Sequence, residues 1–228
     1  KSFVGNFNYA MVMGYNTVNF AKGKEPKSWA EFWDIKAFPG PRMLADMASG
    51  APDIEFALLA DGVSMDKLYP LDIDRAFKIM SLIRSSIPKF WDTGALSAQM
   101  LSDKEVALGS IWSTRIGASI EKGAPLGIQW NQNAVLGQAY GIPMGSKNPE
   151  AALQFVDFSL SGDIQSNWMK IYKATPVNQK AYASASADLI DPETKLPWTK
   201  SKGYVRDIQW WADNRSKVNA AWTKWIAQ

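Results

Sequence analysis

The side chains best suited to contact a ligand stand at or near the ends of the strands that the sequence predicts. Asp46 closes one strand, and Thr93 and Gly94 form a turn before a helix. Trp112 stands between a strand and a helix, and Gln138 lies within an extended apolar run. Because ligands bind beyond the carboxyl ends of the strands in open α/β sheets, these positions predict a ligand site.

Each of these side chains has both a ligand-binding and a structural interpretation. The Thr93 hydroxyl and the first amides of the next helix converge and can hold a polar or anionic group, but Thr93 also suits a plain N-cap. The Trp112 ring can stack on a sugar, a methylene chain or a cation, or it can pack in the core. The Gln138 amide suits a satisfied core group, a solvent-facing residue or a ligand contact.

The chain contains no histidine and no cysteine. This excludes Ser-His-Asp and Cys-His nucleophile systems, Cys/His zinc sites, thiol redox chemistry and disulfides. Carboxylate chemistry, lysine chemistry, carboxylate-only metal sites and binding without catalysis remain. No two carboxylates are spaced as a catalytic pair, but a glycoside hydrolase or sugar-binding protein with a tryptophan-rich cleft stays an alternative. We expect no cofactor and no metal site.

The charge distribution gives no sign of a polyanionic partner. The 25 Lys and Arg residues and the 22 Asp and Glu residues leave a net charge of +3, without any basic block. Binding to nucleic acid or to an anionic membrane depends on clustered positive charge, so we expect neither partner. No apolar run approaches the roughly 18 residues that a membrane span requires.

Helices and short strands alternate along the sequence. Ser28 and Glu31 form a capping box before a short helix. Pro52 and Gly62 bracket another helix, and Pro88 ends the strongest amphipathic helix of the chain. Strands that alternate with helices predict an α/β fold with a mostly parallel sheet and helices on both faces.

The tryptophan content is high, with 11 residues in the chain. The terminal segment YVRDIQWWADNRSKVNAAWTKWIAQ predicts an amphipathic helix with Trp211, Val218, Trp222 and Trp225 along one stripe. Packing therefore accounts for most of these tryptophans without a ligand. The segment before it, SASADLIDPETKLPWTKSKG, is polar and irregular and is the best linker candidate.

Several strings in the chain resemble one family of proteins. They are PKSWAEFWDIKAFPGPR, EFALLADGV, LYPLDIDRAFKIM, WDTGALSAQMLSDKEVALGSIWSTR, GIPMGSKNPEAALQFVDFSLS, ATPVNQKA and WWADNRSKV. In this order and spacing they resemble the polyamine-binding (spermidine/putrescine-type) extracellular solute-binding proteins of ABC transporters. The resemblance covers nearly the whole chain, and no string carries catalytic chemistry.

The resemblance implies a type II periplasmic-binding-protein-like fold, in which two α/β lobes joined by crossover strands close on a ligand. The expected parts are residues 1–17 and 137–141 as crossovers, 18–136 as the second lobe, 142–203 as part of the first lobe and a linker, and 204–228 as a helix returning to the second lobe. The resemblance also implies a periplasmic or extracellular monomer without catalytic activity. Such a protein carries a small-molecule ligand to the membrane permease of an ABC transporter.

Compared with the family pattern, the sequence begins at or just before the first crossover. We therefore expect the first lobe to be incomplete at its amino-terminal end, which leaves residues 142–180 with an exposed sheet edge that favours aggregation. The opening residues also lack the pattern of a secretory signal peptide. Our hypothesis is that the sequence is a truncated or proteolysed product and that an amino-terminal fragment can stay associated with it.

On its second crossover the family presents an aromatic ring and, two residues later, an acid that pairs with a ligand ammonium. Leu136 and Gln138 occupy these positions, and both depart from the pattern. A hydrogen bond to a charged group contributes roughly 1.5 to 3 kcal/mol, against about 1 kcal/mol for a neutral pair, so a diamine should bind more weakly, by about tenfold or more, than it would with the acid in place. The expected ligand is a small amine-type solute, either a polyamine or a related amino acid such as a γ-amino acid.

The resemblance also suggests roles for other side chains. Trp112 corresponds to the tryptophan that walls the ligand site in the second lobe. Thr93 and Gly94 correspond to a small polar turn that faces the cleft, and Asp46 lies near the strand end where the family has acids. Further cleft candidates, with packing or hinge hydrogen bonding as their alternative role, are Tyr140, Tyr172, Asp207 and Gln209.

Overall fold

The computed structural model of the protein describes residues 3–21, 23–172, 174–184 and 187–228. Three of the predicted parts include residues outside the described ranges. These residues are Lys1 and Ser2 of the predicted first crossover, Lys22 of the predicted second lobe, and Lys173, Ala185 and Ser186 of the predicted first-lobe segment and linker.

Strands and helices alternate along the described chain, which confirms the predicted α/β class. Its strands are β1 (Phe3–Asn16), β2 (Arg42–Met43), β3 (Leu108–Trp112), β4 (Leu126–Gly141), β5 (Thr175–Pro176) and β6 (Gly203–Val205). Its helices are α1 (Trp29–Trp33), α2 (Ile54–Ala60), α3 (Ile73–Ser81), α4 (Gly94–Ser102), α5 (Ser113–Glu121), α6 (Pro149–Ser159), α7 (Gly162–Tyr172), α8 (Trp198–Ser201) and α9 (Ile208–Ile226). Short 3-10 turns span Met47–Ser49, Met65–Lys67, Arg84–Ser86, Gln179–Ser184 and Ala187–Leu189.

The strands form one six-stranded mixed sheet in the order β2-β3-β1-β4-β6, with β5 added beside β1. β2 runs parallel to β3 and β4 runs parallel to β6, whereas β1 is antiparallel to β3, β4 and β5. The prediction of a mostly parallel sheet is therefore wrong. The alternation of elements along the chain does not fix strand direction, and the long central strand β1 runs against three of its neighbours.

β1 and β4 are the two longest strands and lie next to each other in the sheet. They pair from Phe3 opposite Gly141 to Asn16 opposite Leu126, with two register shifts along the way. The halves of these strands differ in burial, because residues 10–16 of β1 are buried whereas residues 3–5 are exposed. The two strands therefore run from a well-packed region into a more open one.

Local signals placed several helix starts correctly. The Ser28 hydroxyl accepts a hydrogen bond from the Glu31 amide at 3.2 Å, as the capping box predicted. The Glu31 carboxylate accepts from the Lys27 amide at 2.6 Å, one residue earlier than in the usual box. The Thr93 hydroxyl caps α4 by accepting from the Leu96 amide at 3.2 Å. Side-chain oxygens at these positions satisfy amides that have no partner within the helix.

The hydrophobic core lies where α1, α2, α3 and α9 pack together against the buried half of the sheet. Trp29 stacks on Phe56 with ring centroids 3.8 Å apart. α9 buries Trp211, Val218, Trp222 and Trp225, which confirms the predicted stripe. The ring centroids of Phe77 in α3 and Trp225 lie 5.5 Å apart. These tryptophans therefore serve mainly as core residues.

The region around α6 is much more open. None of the α6 side chains is buried, and the exposed fractions of Phe155 and Phe158 are 60% and 59%. The neighbouring residues Val4 and Met144 are exposed as well. This end of the molecule therefore contributes little to the hydrophobic core and presents an apolar surface.

Candidate functional site

A small pocket of about 240 Å³ lies between the sheet, the turn at residues 49–51 and the terminal helix α9. Its lining residues are Tyr9, Met11, Ser49, Gly50, Ala51, Trp112, Leu136, Arg206, Trp211 and Arg215. Pockets for drug-sized ligands usually measure roughly 300 to 1,000 Å³, so this pocket suits a smaller solute. We refer to it as the central pocket.

The sheet register gathers the apolar wall of the central pocket. Tyr9 and Met11 point to the same face of β1, because side chains alternate along a strand. Tyr9 pairs with Leu136 of β4, and Met11 pairs with Trp112 at the end of β3. Residues that are far apart in the sequence thus meet on one face of the sheet.

Trp112 is held in place by its neighbours. Its ring meets Tyr9 edge-on with centroids 6.1 Å apart and Trp91 edge-on at 5.5 Å. A Cβ atom on Gly94 would lie 2.7 Å from the Trp112 ring, so only glycine fits beneath that ring. Gly94 therefore supports the pocket wall from behind, and the Thr93 hydroxyl is engaged as the α4 cap. A direct ligand contact by either residue stays a prediction.

Gln138 lies near the central pocket without lining it. Its exposed side chain is beside the Tyr9 hydroxyl, where it opposes the rise in the pKa of Tyr9 that burial causes. Leu136, two residues earlier on β4, does line the pocket. Of the three roles that the sequence allowed for Gln138, the core role is wrong because the side chain is exposed. Its place beside Tyr9 leaves a solvent-facing role and a ligand contact open.

Two arginines supply the charge of the central pocket. Arg206 is buried and forms an ion pair with Glu55, with 2.9 Å between Nε and Oε1. Burial lowers the pKa of Arg206, but the Glu55 carboxylate more than offsets this and holds the pKa above its usual value. Arg215 is exposed on α9, and its Nη1 donates to the Gly50 carbonyl at 2.5 Å. Arg206 is therefore charged at neutral pH.

Glu55 fixes the position of Arg206 through a wider network. Its Oε1 accepts from Trp211 Nε1 at 2.8 Å and from the Tyr69 hydroxyl at 2.9 Å. The Arg206 guanidinium lies over the Trp211 ring, 5.3 Å from its centroid. Burial and the Glu55 charge raise the pKa of Tyr69, so its hydroxyl remains a donor. The network connects α2, the end of β6 and α9.

Asp46 lies next to the central pocket. Its carboxylate accepts from the Ala48 amide at 2.7 Å and so caps the turn Met47–Ser49, whose last residue lines the pocket. Asp46 itself lines a neighbouring, more open pocket of about 490 Å³, which shares Arg215 with the central one. The structure thus brings Asp46 to the vicinity of the site but not to its wall.

The four remaining sequence candidates lie outside the lining of the central pocket. Tyr140 meets Phe155 edge-on at 6.1 Å in the open region around α6. Tyr172 packs on Trp168 at 4.7 Å. Asp207 caps α9 by accepting from the Trp210 amide at 2.9 Å, and Gln209 donates to Asp213 on the exposed face of that helix. Ring packing, helix capping and a hydrogen bond within α9 account for these contacts, and the ligand roles of all four residues stay predictions.

Sequence reasoning did not select the residues that give the pocket its charge. Arg206 directly follows β6, so the rule that singled out strand ends would have selected it if that short strand had been predicted. Arg215 lies within α9, where no sequence pattern separates a pocket residue from a solvent-facing one. Tyr9 and Met11 carry the alternation of a strand, but their facing partners become known only from the register.

Asp53 lies buried beside this network. Its Oδ2 accepts from the Ala45 amide at 2.6 Å and from the Ser110 hydroxyl at 2.5 Å, while Oδ1 has no hydrogen-bond partner among the described residues. Burial raises the pKa of Asp53 to about 6, although the Ser110 and Ala45 hydrogen bonds oppose that rise. The folded protein therefore binds a proton that an ordinary aspartate, with a pKa of about 4, has already released.

We expect this carboxyl group to make stability depend on pH. Its contribution is fully present below about pH 4 and is lost as the pH rises through about 6, a change on the order of 3 kcal/mol. The Asp53→Asn variant lacks the titrating group, so its free energy of unfolding should fall less than that of the wild type between pH 4 and pH 7.5. Urea unfolding across this range measures both curves, and parallel curves would contradict the assignment.

Two absences concern the described ranges, 3–21, 23–172, 174–184 and 187–228. No group of three or more acidic side chains there is arranged to hold a metal ion. No helix in the same ranges has the length and apolar character needed to cross a bilayer.

Comparison with protein families gives one match that covers most of the chain. A family model described as bacterial extracellular solute-binding protein matches residues 1–197. The chain is 26% identical over 230 residues to a gamma-aminobutyric acid-binding protein of Pseudomonas aeruginosa, covering 99% of this chain and 64% of that protein. It is 23% identical over 192 residues to the spermidine/putrescine-binding periplasmic protein of Escherichia coli, covering 83% of this chain and 53% of that protein.

A solved structure shares the fold and has a higher sequence identity to this chain than the two proteins above. An ABC transporter substrate-binding protein from Bradyrhizobium japonicum is 34% identical to this chain and superposes with a TM-score of 0.83. The match covers 99% of this chain and 69% of that structure. The chain thus spans about half to two thirds of the length of these similar proteins.

Proposed function

Because the chain belongs to the bacterial extracellular solute-binding protein family, we propose that it serves as the solute-binding component of an ABC importer. Its ligand is a small amine-type solute, either a polyamine or a related amino acid such as a γ-amino acid. The family that the sequence predicted is confirmed, and so is the type II periplasmic-binding-protein-like fold. The protein works in the periplasm or outside the cell and delivers its ligand to a membrane permease as a monomer.

The central pocket is the observation that supports this proposal most. It is small, it has an aromatic and aliphatic wall, and it combines that wall with a few polar groups. Small-molecule sites generally have this composition, with apolar surfaces for affinity and convergent polar groups for orientation. The Trp112 and Tyr9 rings suit a methylene chain or an ammonium group.

We propose the lobe boundaries that the sequence suggested as part of the same account. Residues 18–136 and 204–228 form one lobe, and residues 142–203 form part of the other lobe and a linker. Residues 1–17 and 137–141 cross between the lobes. The packing of α9 against α3 supports placing the terminal helix in the larger lobe. The central pocket lies beside β1 and β4, where a hinge between the lobes would close on a ligand.

A role in binding is favoured over a glycoside hydrolase. The family and the similar proteins are named for binding and transport, and a hydrolase would require a pair of carboxylates facing the substrate. The described lining of the central pocket contains no carboxylate. We therefore propose that the ligand leaves the protein chemically unchanged.

We expect the Trp112→Ala variant to bind its amine solute about tenfold or more weakly than the wild type, because ring stacking on the ligand is lost. Calorimetric titration with γ-aminobutyrate, putrescine and spermidine measures the change for whichever solute binds. Trp112→Phe keeps a ring and should retain much of the affinity.

Trp130→Ala is the matched control, since Trp130 stacks near Trp198 at 6.2 Å and lies outside the central pocket. Its affinity should stay within about threefold of the wild type. Equal losses in Trp112→Ala and Trp130→Ala would contradict a specific role for Trp112. Saturable binding of none of the three solutes would contradict the proposed function.

A further inference from the structure

The charged side chains that line the central pocket all carry the same sign. Its lining contains two guanidinium groups, those of Arg206 and Arg215, and among the described lining residues there is no carboxylate. A site built for a diamine needs acceptors or negative charge for each ammonium group, because like charges repel at short range. The charged groups that line this pocket are positive, so they would repel the ammonium groups of a diamine.

The two arginines are not equivalent. Glu55 neutralises Arg206 through the 2.9 Å ion pair, so Arg206 contributes little net charge to the pocket. None of the described carboxylates forms an ion pair with Arg215, whose Nη1 donates to the neutral Gly50 carbonyl. Arg215 is therefore the net positive charge of the lining, and its planar group has several donors beyond the one that contacts Gly50.

Other side chains in and beside the pocket are uncharged. Tyr9 carries a hydroxyl group on the pocket wall, and the Gln138 side chain stands beside it. These neutral acceptors suit an ammonium group, and the Trp112 face can add a cation–π contact. Met11 and Leu136 also line the pocket and suit a short methylene chain.

We infer that the ligand is a small solute with a carboxylate at one end and an amine at the other, and that Arg215 binds the carboxylate and sets the specificity against polyamines. This inference rests on the proposed function of the same pocket. It narrows the ligand class from amine-type solutes in general to amino acids with an amine several carbons from the carboxylate.

Three probes of similar length differ in the group at one end and so test which end group the pocket binds. γ-Aminobutyrate has a carboxylate, 4-aminobutanamide has a neutral amide in its place, and putrescine has a second ammonium group. We expect calorimetric titration of the chain to show binding of γ-aminobutyrate about tenfold or more tighter than binding of either other probe.

Variants in α9 test whether Arg215 binds the carboxylate. Arg215→Gln should weaken γ-aminobutyrate binding about tenfold or more and leave 4-aminobutanamide binding nearly unchanged. Arg215→Lys, which keeps the charge, should restore part of the loss. Lys217→Gln removes the same charge from an exposed position of the same helix outside the pocket, and it should have no more than about a twofold effect.

The possible failures are distinguishable. Equal affinity for γ-aminobutyrate and 4-aminobutanamide, or tighter binding of putrescine, overturns the inference while the proposed function stands. Equal losses for all three probes in Arg215→Gln assign Arg215 a structural role through its Gly50 bond and also overturn the inference. Saturable binding of none of the probes overturns both proposals.

Discussion

Replacing Glu55 by alanine is expected to lower the free energy of unfolding by about 3 to 5 kcal/mol. Glu55 is fully buried, and its carboxylate is the ion-pair partner of Arg206. It also accepts hydrogen bonds from Trp211 and Tyr69. The alanine variant leaves a buried guanidinium without its counter-charge and two further donors without an acceptor, and each of these changes is costly in a low-dielectric interior.

Urea unfolding followed by tryptophan fluorescence measures this effect. Glu105→Ala is the matched control, because Glu105 is exposed and its removal should change stability by no more than about 0.5 kcal/mol. Glu55→Gln keeps an acceptor oxygen and should fall between the wild type and Glu55→Ala. A loss of less than about 1 kcal/mol in Glu55→Ala would mean that the network does not hold Arg206 in place.

Arg42→Met is expected to cost about 3 to 4 kcal/mol of stability. The Arg42 side chain is fully buried and donates to the carbonyl oxygens of Phe32 at 2.8 Å, Gly40 at 2.6 Å and Phe38. Burial lowers the pKa of Arg42 to about 10, so the group is still charged at neutral pH. Methionine fills a similar volume but leaves these carbonyl groups without their donor.

Thermal and urea unfolding of two further variants give the comparison. Arg75→Met removes an exposed arginine that pairs with Asp61 at 2.6 Å, and we expect it to cost about 1 kcal/mol or less. Arg42→Lys should recover only part of the loss, because an ammonium group cannot contact several carbonyl groups in the planar geometry of a guanidinium. If Arg42→Met were as stable as Arg75→Met, the buried hydrogen bonds would not stabilise this turn.

Features that depend on neighbouring residues in the sequence could be predicted. The Ser28 cap and the buried stripe of α9 were predicted correctly, because capping and helical periodicity are properties of a few consecutive residues. The Thr93 cap was one of the two roles that the sequence left open for that residue. The direction of β1 relative to its neighbours was not predictable from the alternation of elements. It depends on how the whole chain packs, and it turned a predicted mostly parallel sheet into a mixed one.

The residues of the candidate site also divide into those that the sequence predicted and those that only the packing of the whole chain brings together. Trp112 and Leu136 line the central pocket, and Gln138 stands beside Tyr9. Arg215 reaches the pocket only because α9 packs back against the turn at residues 49–51, a contact between residues 165 positions apart. No local pattern distinguishes this arginine from the solvent-facing charges of the same helix, so the charge of the site was missing from the sequence prediction.

Native mass spectrometry of the chain with an equimolar mixture of γ-aminobutyrate and putrescine tests the central claim most directly. The spectrum reports the mass of the chain together with any small molecule that it retains. Our account predicts one molecule of γ-aminobutyrate per chain, unchanged in mass, with little putrescine bound. A chain that stays empty in the presence of both solutes, or one that selects putrescine, would contradict it.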